Sequence, residues 1–152
     1  MPLYETDEDL SREDRVKFYL ELCWRATLHK LPKERCIDFA ATRDNKLFAY
    51  IEVKTRTCKH NQWPTYLLSK AKYDAGIALA KQRKVPFILV VSFSDGETAW
   101  IDLTRPQNKD GKFPAFEVEH WGRSDRPDDP KAKEPCIVFP MRKFMWMVNN
   151  ES

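Results

Sequence analysis

Two carboxylates and a lysine stand where a β-hairpin would carry them onto one face. Residues 36–42 and 47–56 are short extended runs, joined through Arg43, Asp44, Asn45 and Lys46, a turn-rich tetrapeptide. Side chains alternate along a strand, so Ile37, Phe39 and Ala41 share one face, as do Ala49, Ile51 and Val53. Joining these faces into one apolar wall pairs 37 with 53, 39 with 51 and 41 with 49, leaving Asp44, Asn45 and Lys46 as a three-residue loop. Asp38 then lies opposite Glu52, with Lys54 two residues further along the same strand. A slip of one residue would break the wall and part the acids.

Such a placement needs a reason. Like charges on cross-strand neighbours, about 4.5–5.5 Å apart at Cβ, repel each other. They become favourable when a divalent cation sits between them, and hard carboxylate oxygens suit Mg²⁺. Acids to hold a metal, a metal to activate water, and a cation beside developing negative charge are what phosphodiester hydrolysis requires. The plainer alternative is a salt-bridge ladder on a solvent-facing sheet.

The flanking elements form an α/β plan built round one mixed sheet. Ser11 reads as a helix N-cap, with Glu13 and Asp14 in the first turn. Val16, Leu20, Cys23 and Thr27 make an apolar stripe, and the helix is expected to stop before Pro32. A second helix is predicted over residues 64–83, with Pro64 in its first turn. Residues 85–94 are the most apolar stretch and read as a central strand covered on both faces. Ser94, Asp95 and Gly96 then turn into a strand at 97–103. Beyond Thr104 the chain holds six of its ten prolines. Short strands are expected there at 116–120 and 136–139, with a charged loop over 122–135.

Asp38, thirteen intervening residues and then Glu52, Val53 and Lys54, between one helix and a following helix and apolar strand, resembles the PD-(D/E)XK nuclease superfamily. That group includes restriction endonucleases, Holliday-junction resolvases and phage exonucleases. The resemblance spans about residues 11–103, with 104–152 as a Pro-rich extension of the same single domain, 1–152. It implies a restriction-endonuclease-like core: a central mixed β-sheet flanked by helices. It further implies Asp38 and Glu52 as Mg²⁺ ligands (Mn²⁺ substituting), the Val53 carbonyl as another, and Lys54 assisting the attacking water. Ile37 stands where the superfamily's namesake proline would be.

The superfamily often adds a glutamate from the first helix. At 100° per residue Glu13 lies at the edge of the Leu20 stripe and Glu21 to its side, which favours Glu13 as a further metal ligand. Interaction of a first-turn acid with the helix dipole accounts for Glu13 equally well. The superfamily also has a strand before the aspartate, for which residues 28–35 leave little room, so either the first helix ends early or that strand is vestigial. From the second helix it contributes a Lys or Gln; Lys72 is preferred over Lys70 and Gln62. Residues 66–73, and the loop with Gly122, Arg123, Asp125, Arg126, Glu134 and Pro135, are similar to small phage-encoded members.

Arg56, Lys59 and His60 extend a positive rim that nucleic-acid phosphates could follow, and a solvated loop explains them as well. Trp63 and Tyr66 are candidates to stack bases, with packing the safer assumption. Cys58 and His60 have no second pair to complete a zinc site. The four cysteines are scattered and read as reduced, buried thiols. No run approaches a membrane span, no export signal is visible, and a cytoplasmic protein is expected. A net charge of +3 on 152 residues excludes a strongly basic coat. The leading expectation is a Mg²⁺-dependent DNA endonuclease, with a symmetric homodimer suiting duplex or branched DNA. The competitors are a nuclease-like fold that binds nucleic acid or protein without cleaving, and an unrelated α/β domain with a chance E-x-K.

Overall fold

A computed structural model describes the backbone of residues 7–105, 116–121 and 133–147, and the side chains of 12–105 and 135–147. Helix α1, Asp7–Trp24, begins before Ser11, so Ser11 lies within the helix and is not its cap. It ends well before Pro32, where Arg25 takes a left-handed φ of 50°. Such a residue closes a helix by turning the chain away from its axis. The early stop, one of the two expected alternatives, frees Thr27–Lys30 to form β1, the short strand before the aspartate.

A six-stranded mixed sheet follows, in the order β1, β2 (Phe39–Arg43), β3 (Lys46–Thr55), β5 (Phe87–Ser92), β6 (Thr98–Asp102) and β9 (Met145–Trp146). Its hairpin is β2, Phe39–Arg43, with β3, Lys46–Thr55. The expected register holds where Phe39 faces Ile51 and Ala41 faces Ala49. Beyond Ala41 it shifts, so that Thr42 pairs with Leu47 and Phe48 is bulged out. The loop is therefore Asp44 and Asn45 alone, both at positive φ (53° and 62°), as a tight primed turn demands. A three-residue loop would have needed no bulge; the αL tolerance of Asp and Asn decides for the shorter one.

Strand β5, Phe87–Ser92, runs parallel to β3, and both of its faces are buried, as its composition predicts. Towards α1, Val16 and Leu20 pack on Phe39, Ala41, Ala49, Ile51, Val53, Ile88 and Val90. The opposite face carries Tyr50, Phe87, Leu89 and Val91 beneath helix α2, Lys70–Arg83. The expected central sheet flanked by helices is thus present. Ile37 is the exception within the hairpin: it joins the α2-side core, because the ladder ends at Phe39 and pairing of 37 with 53 never forms.

The segment before α2 is not helical. Thr65–Ser69 is strand β4, with Tyr66 and Leu68 buried in alternation, and it pairs with Cys136 to Pro140 of β8, Lys133–Pro140. Strand β7, Phe116–Trp121, completes a separate three-stranded sheet in the order β4-β8-β7. The expectation of one sheet is corrected to two. Helix α2 starts instead at Ser69, whose side chain accepts the Lys72 N–H at 3.1 Å. Strand β6, Thr98–Asp102, pairs with β9, Met145–Trp146, which places Trp146 opposite Ala99 on the main sheet. Cys136 is buried, whereas Cys23 and Cys36 are exposed, correcting the expectation of buried thiols. Of the charged loop, residues 122–132 lie outside the described set, Arg123 and Arg126 among them.

Helix α2 lies tight against the sheet at Gly76. A Cβ there would meet the ring of Phe87 at 2.1 Å, and Phe87 is fully buried. Gly76→Ala should therefore destabilise the protein by about 1–3 kcal/mol in urea unfolding, because overpacking outweighs the ~1 kcal/mol gained in helix propensity. An unchanged or higher midpoint would show that this interface yields easily.

Candidate active site

Two breaks in regular pairing create the site. The first is the end of the β2–β3 ladder. Asp38 precedes β2, and its Oδ2 accepts the Val53 N–H at 2.8 Å, replacing the backbone bond that a longer ladder would make. The Asp38 carboxylate is thereby fixed to the amide directly after Glu52. In the parallel pair, Tyr50 and Arg56 donate to Pro86 and Ser92 on the β5 side. Residues of opposite parity point their N–H and C=O the other way, so the Val53 carbonyl lies on the Asp38 side.

The second break is the burial of a charge. Glu52 is 0% exposed, and neither side-chain oxygen has a hydrogen-bond partner among the described residues. Two ammonium groups stand near its Oε2: Lys54 Nζ at 3.3 Å and Lys72 Nζ at 3.5 Å. Lys72 comes from the first turn of α2 and also donates to the Cys36 carbonyl at 2.7 Å, which ties the helix to the loop leading into Asp38. Burial first, and then the neighbouring Asp38 charge, push the Glu52 carboxyl up to about 7, with Lys54 and Lys72 pulling it back. A buried carboxylate without hydrogen bonds is costly to keep. Positive charge beside the two acids, from Lys54 and Lys72 or from a cation, offsets that cost.

Asp38, Glu52, Lys54 and Lys72 are thus brought together. Glu13 approaches them through Lys30, whose ammonium pairs with Glu13 and lies 4.0 Å from Asp38 Oδ1. Glu21 is engaged elsewhere, accepting the Leu28 N–H at 3.0 Å. Among the described residues no three His, Cys, Asp or Glu side chains gather closely enough to hold a metal. Two carboxylates still suffice for Mg²⁺, which keeps several waters and is commonly held by one or two of them. Asp38, Glu52 and the Val53 carbonyl fit such an ion.

The expected positive rim has other attachments. Arg56 donates to the Leu67 carbonyl at 3.2 Å and lies over the Tyr66 ring at 4.3 Å, clamping β3 to β4. His60 donates its backbone N–H to Asp95 and sits 2.6 Å from that carboxylate through Nδ1, with its ring against Trp146. Lys59 is exposed in the same loop. Tyr66 is buried and so not available to stack a base, whereas Trp63 is 60% exposed. Lys70 pairs with Asp74 on its own helix. A cleft of about 1070 Å³ opens beyond the C-terminal ends of β3 and β5, its charged lining being Arg12, Arg15, Arg56, Asp95 and Glu97. None of the four clustered residues borders it.

Lys30 is the neighbour that the sequence did not disclose. Its signal was faint: Thr27, Leu28, His29 and Lys30 alternate in burial, but four residues beside a helix end scarcely announce a strand.

The profile of a family described as "phage putative PDDEXK endonuclease" matches residues 1–147. The chain belongs to this family. Membership of the PDDEXK endonucleases accords with the element order around Asp38 and Glu52 and gives the fold its restriction-endonuclease-like character. Hjc, a Holliday junction resolvase from the hyperthermophilic archaeon Archaeoglobus fulgidus, is a structural neighbour with 15% identity and a TM-score of 0.48, over 65% of this chain and 76% of that one. No curated protein matches the sequence. Among the described residues, no helix of this PDDEXK family member is long and apolar enough to cross a membrane.

Proposed function

We propose that this PDDEXK family member is a divalent-metal-dependent DNA endonuclease whose site is Asp38, Glu52 and Lys54, with Lys72 in support. The observation that carries this is the fully buried Glu52, its two oxygens without hydrogen bonds, held beside Asp38 and facing two ammonium groups. Asp38, Glu52 and the Val53 carbonyl would hold the ion, with Mg²⁺ or Mn²⁺ suited to hard oxygen donors. When bound, the ion supplies Lewis acidity at a phosphodiester.

The remaining chemistry belongs to the chain. Lys54, half-exposed at the rim of the buried acid, can hydrogen-bond an attacking water and hold positive charge where the phosphorane charge grows. Lys72 keeps Glu52 and the Cys36 carbonyl in one frame, and so fixes the approach of Asp38. Lys59 and the arginines of the cleft, Arg12, Arg15 and Arg56, are the cations offered to backbone phosphates, with Asp95 and Glu97 on the same lining limiting their net charge.

The test is cleavage of supercoiled plasmid, single-stranded oligonucleotides and four-way junctions with Mg²⁺, Mn²⁺ or EDTA. Cleavage of at least one substrate, abolished by EDTA, is expected. No cleavage with either metal, together with retained DNA affinity, would replace this function with that of a binding module.

A further inference from the structure

Lys30 stands against one of the two acids that a metal would use. Strand β1 is antiparallel to β2, with Lys30 opposite Phe39 and the Leu31 N–H on the Asp38 carbonyl at 2.9 Å. The side chain crosses the Phe39 ring, 5.3 Å from its centroid, to reach Glu13 and Asp38. Those side chains are 15% and 20% exposed, so the ammonium is held between two largely shielded carboxylates.

We propose that Lys30 is a resident cation filling the place of a second metal beside Asp38, so that the site takes one divalent ion and Glu13 serves Lys30, not the metal. This rests on the function proposed above. Charge balance supports it. The carboxylates of Glu13, Asp38 and Glu52 are matched by the ammonium groups of Lys30, Lys54 and Lys72. One divalent ion then leaves the site net positive, ready for a singly charged phosphodiester. A second ion would have to sit about 4 Å from the first and beside an ammonium group, where like charges repel strongly at reduced dielectric. Lys30 already provides positive charge on that flank. It touches neither substrate nor metal, and is a positioning residue for Asp38.

The experiment is calorimetric titration of the full chain with Mn²⁺ at pH 8, comparing wild type, Lys30→Gln and Glu13→Gln. Wild type should bind one ion per chain, and Lys30→Gln should bind two. Glu13→Gln should keep one ion with affinity within about fivefold of wild type, because Lys30 is 40% exposed and solvent screens what its pairing with Glu13 transmits to Asp38. Two ions in wild type, one in Lys30→Gln, or a loss beyond tenfold in Glu13→Gln would each overturn the role of Lys30 while leaving the metal site in place. No Mn²⁺ binding by wild type would instead remove the metal site itself, and this inference with it.

Discussion

Glu52→Gln is expected to abolish metal-dependent cleavage and, at the same time, to make the metal-free protein more stable at pH 8. The second half follows from burial. A carboxyl whose folded value is raised from 4.5 to about 7 favours the folded state least when it must ionise. Below about pH 4.5 both states hold the proton and there is no penalty. Between there and about pH 7 the unfolded chain releases its proton more readily, and stability falls. Above pH 7 the full cost, on the order of 3 kcal/mol, is present. Gln removes the titration but weakens the contacts to Lys54 and Lys72, whose side chains are 38% and 32% exposed and therefore screened. A net gain on the order of 2 kcal/mol, about 5 °C in Tm, is expected at pH 8 and should vanish near pH 4.5. Mn²⁺ should raise the Tm of wild type at pH 8 and leave the variant unmoved. A variant less stable than wild type at pH 8, or one that still cleaves, would mean that Glu52 is a structural acid.

Lys54→Met is expected to lower the cleavage rate by about 10²–10³-fold without removing the metal. Met keeps the length and apolar stem of the side chain and deletes only the charge that faces Glu52 at 3.3 Å. Loss of that charge also raises Glu52 further, since Lys54 pulls its carboxyl down. A cation must then displace a more tightly held proton. Mn²⁺ affinity should drop at pH 7 and recover towards the wild-type value above pH 8. Single-turnover rates at saturating Mn²⁺, together with affinity against pH, separate the two effects. A saturated rate within twofold of wild type would leave Lys54 without a part in the chemistry.

The hairpin was legible because hydrophobic alternation and register are local. Phe39 with Ile51 and Ala41 with Ala49 follow from which side chains must be covered, and they bring Asp38 alongside Glu52. The bulge at Phe48 was not legible, since it reconciles that register with the two-residue turn that Asp44 and Asn45 prefer. Strand β4 was misread for a different reason. Leu67, Leu68 and Ala71 satisfy a helical spacing after Pro64, and only pairing with β8, far along the chain, makes Thr65–Ser69 extended. At Arg56 and His60 the residue type was legible and the partners were not: the Leu67 carbonyl with Tyr66, and the Asp95 carboxylate, come from other segments. Charge type is written in the sequence; what satisfies it is decided by topology.

The placement of the ion between Asp38 and Glu52 is tested most directly by anomalous scattering from crystals soaked in Mn²⁺. One peak is expected within about 2.4 Å of a carboxylate oxygen of each residue and of the Val53 carbonyl. A peak elsewhere, or none at Mn²⁺ concentrations that support cleavage, would contradict it.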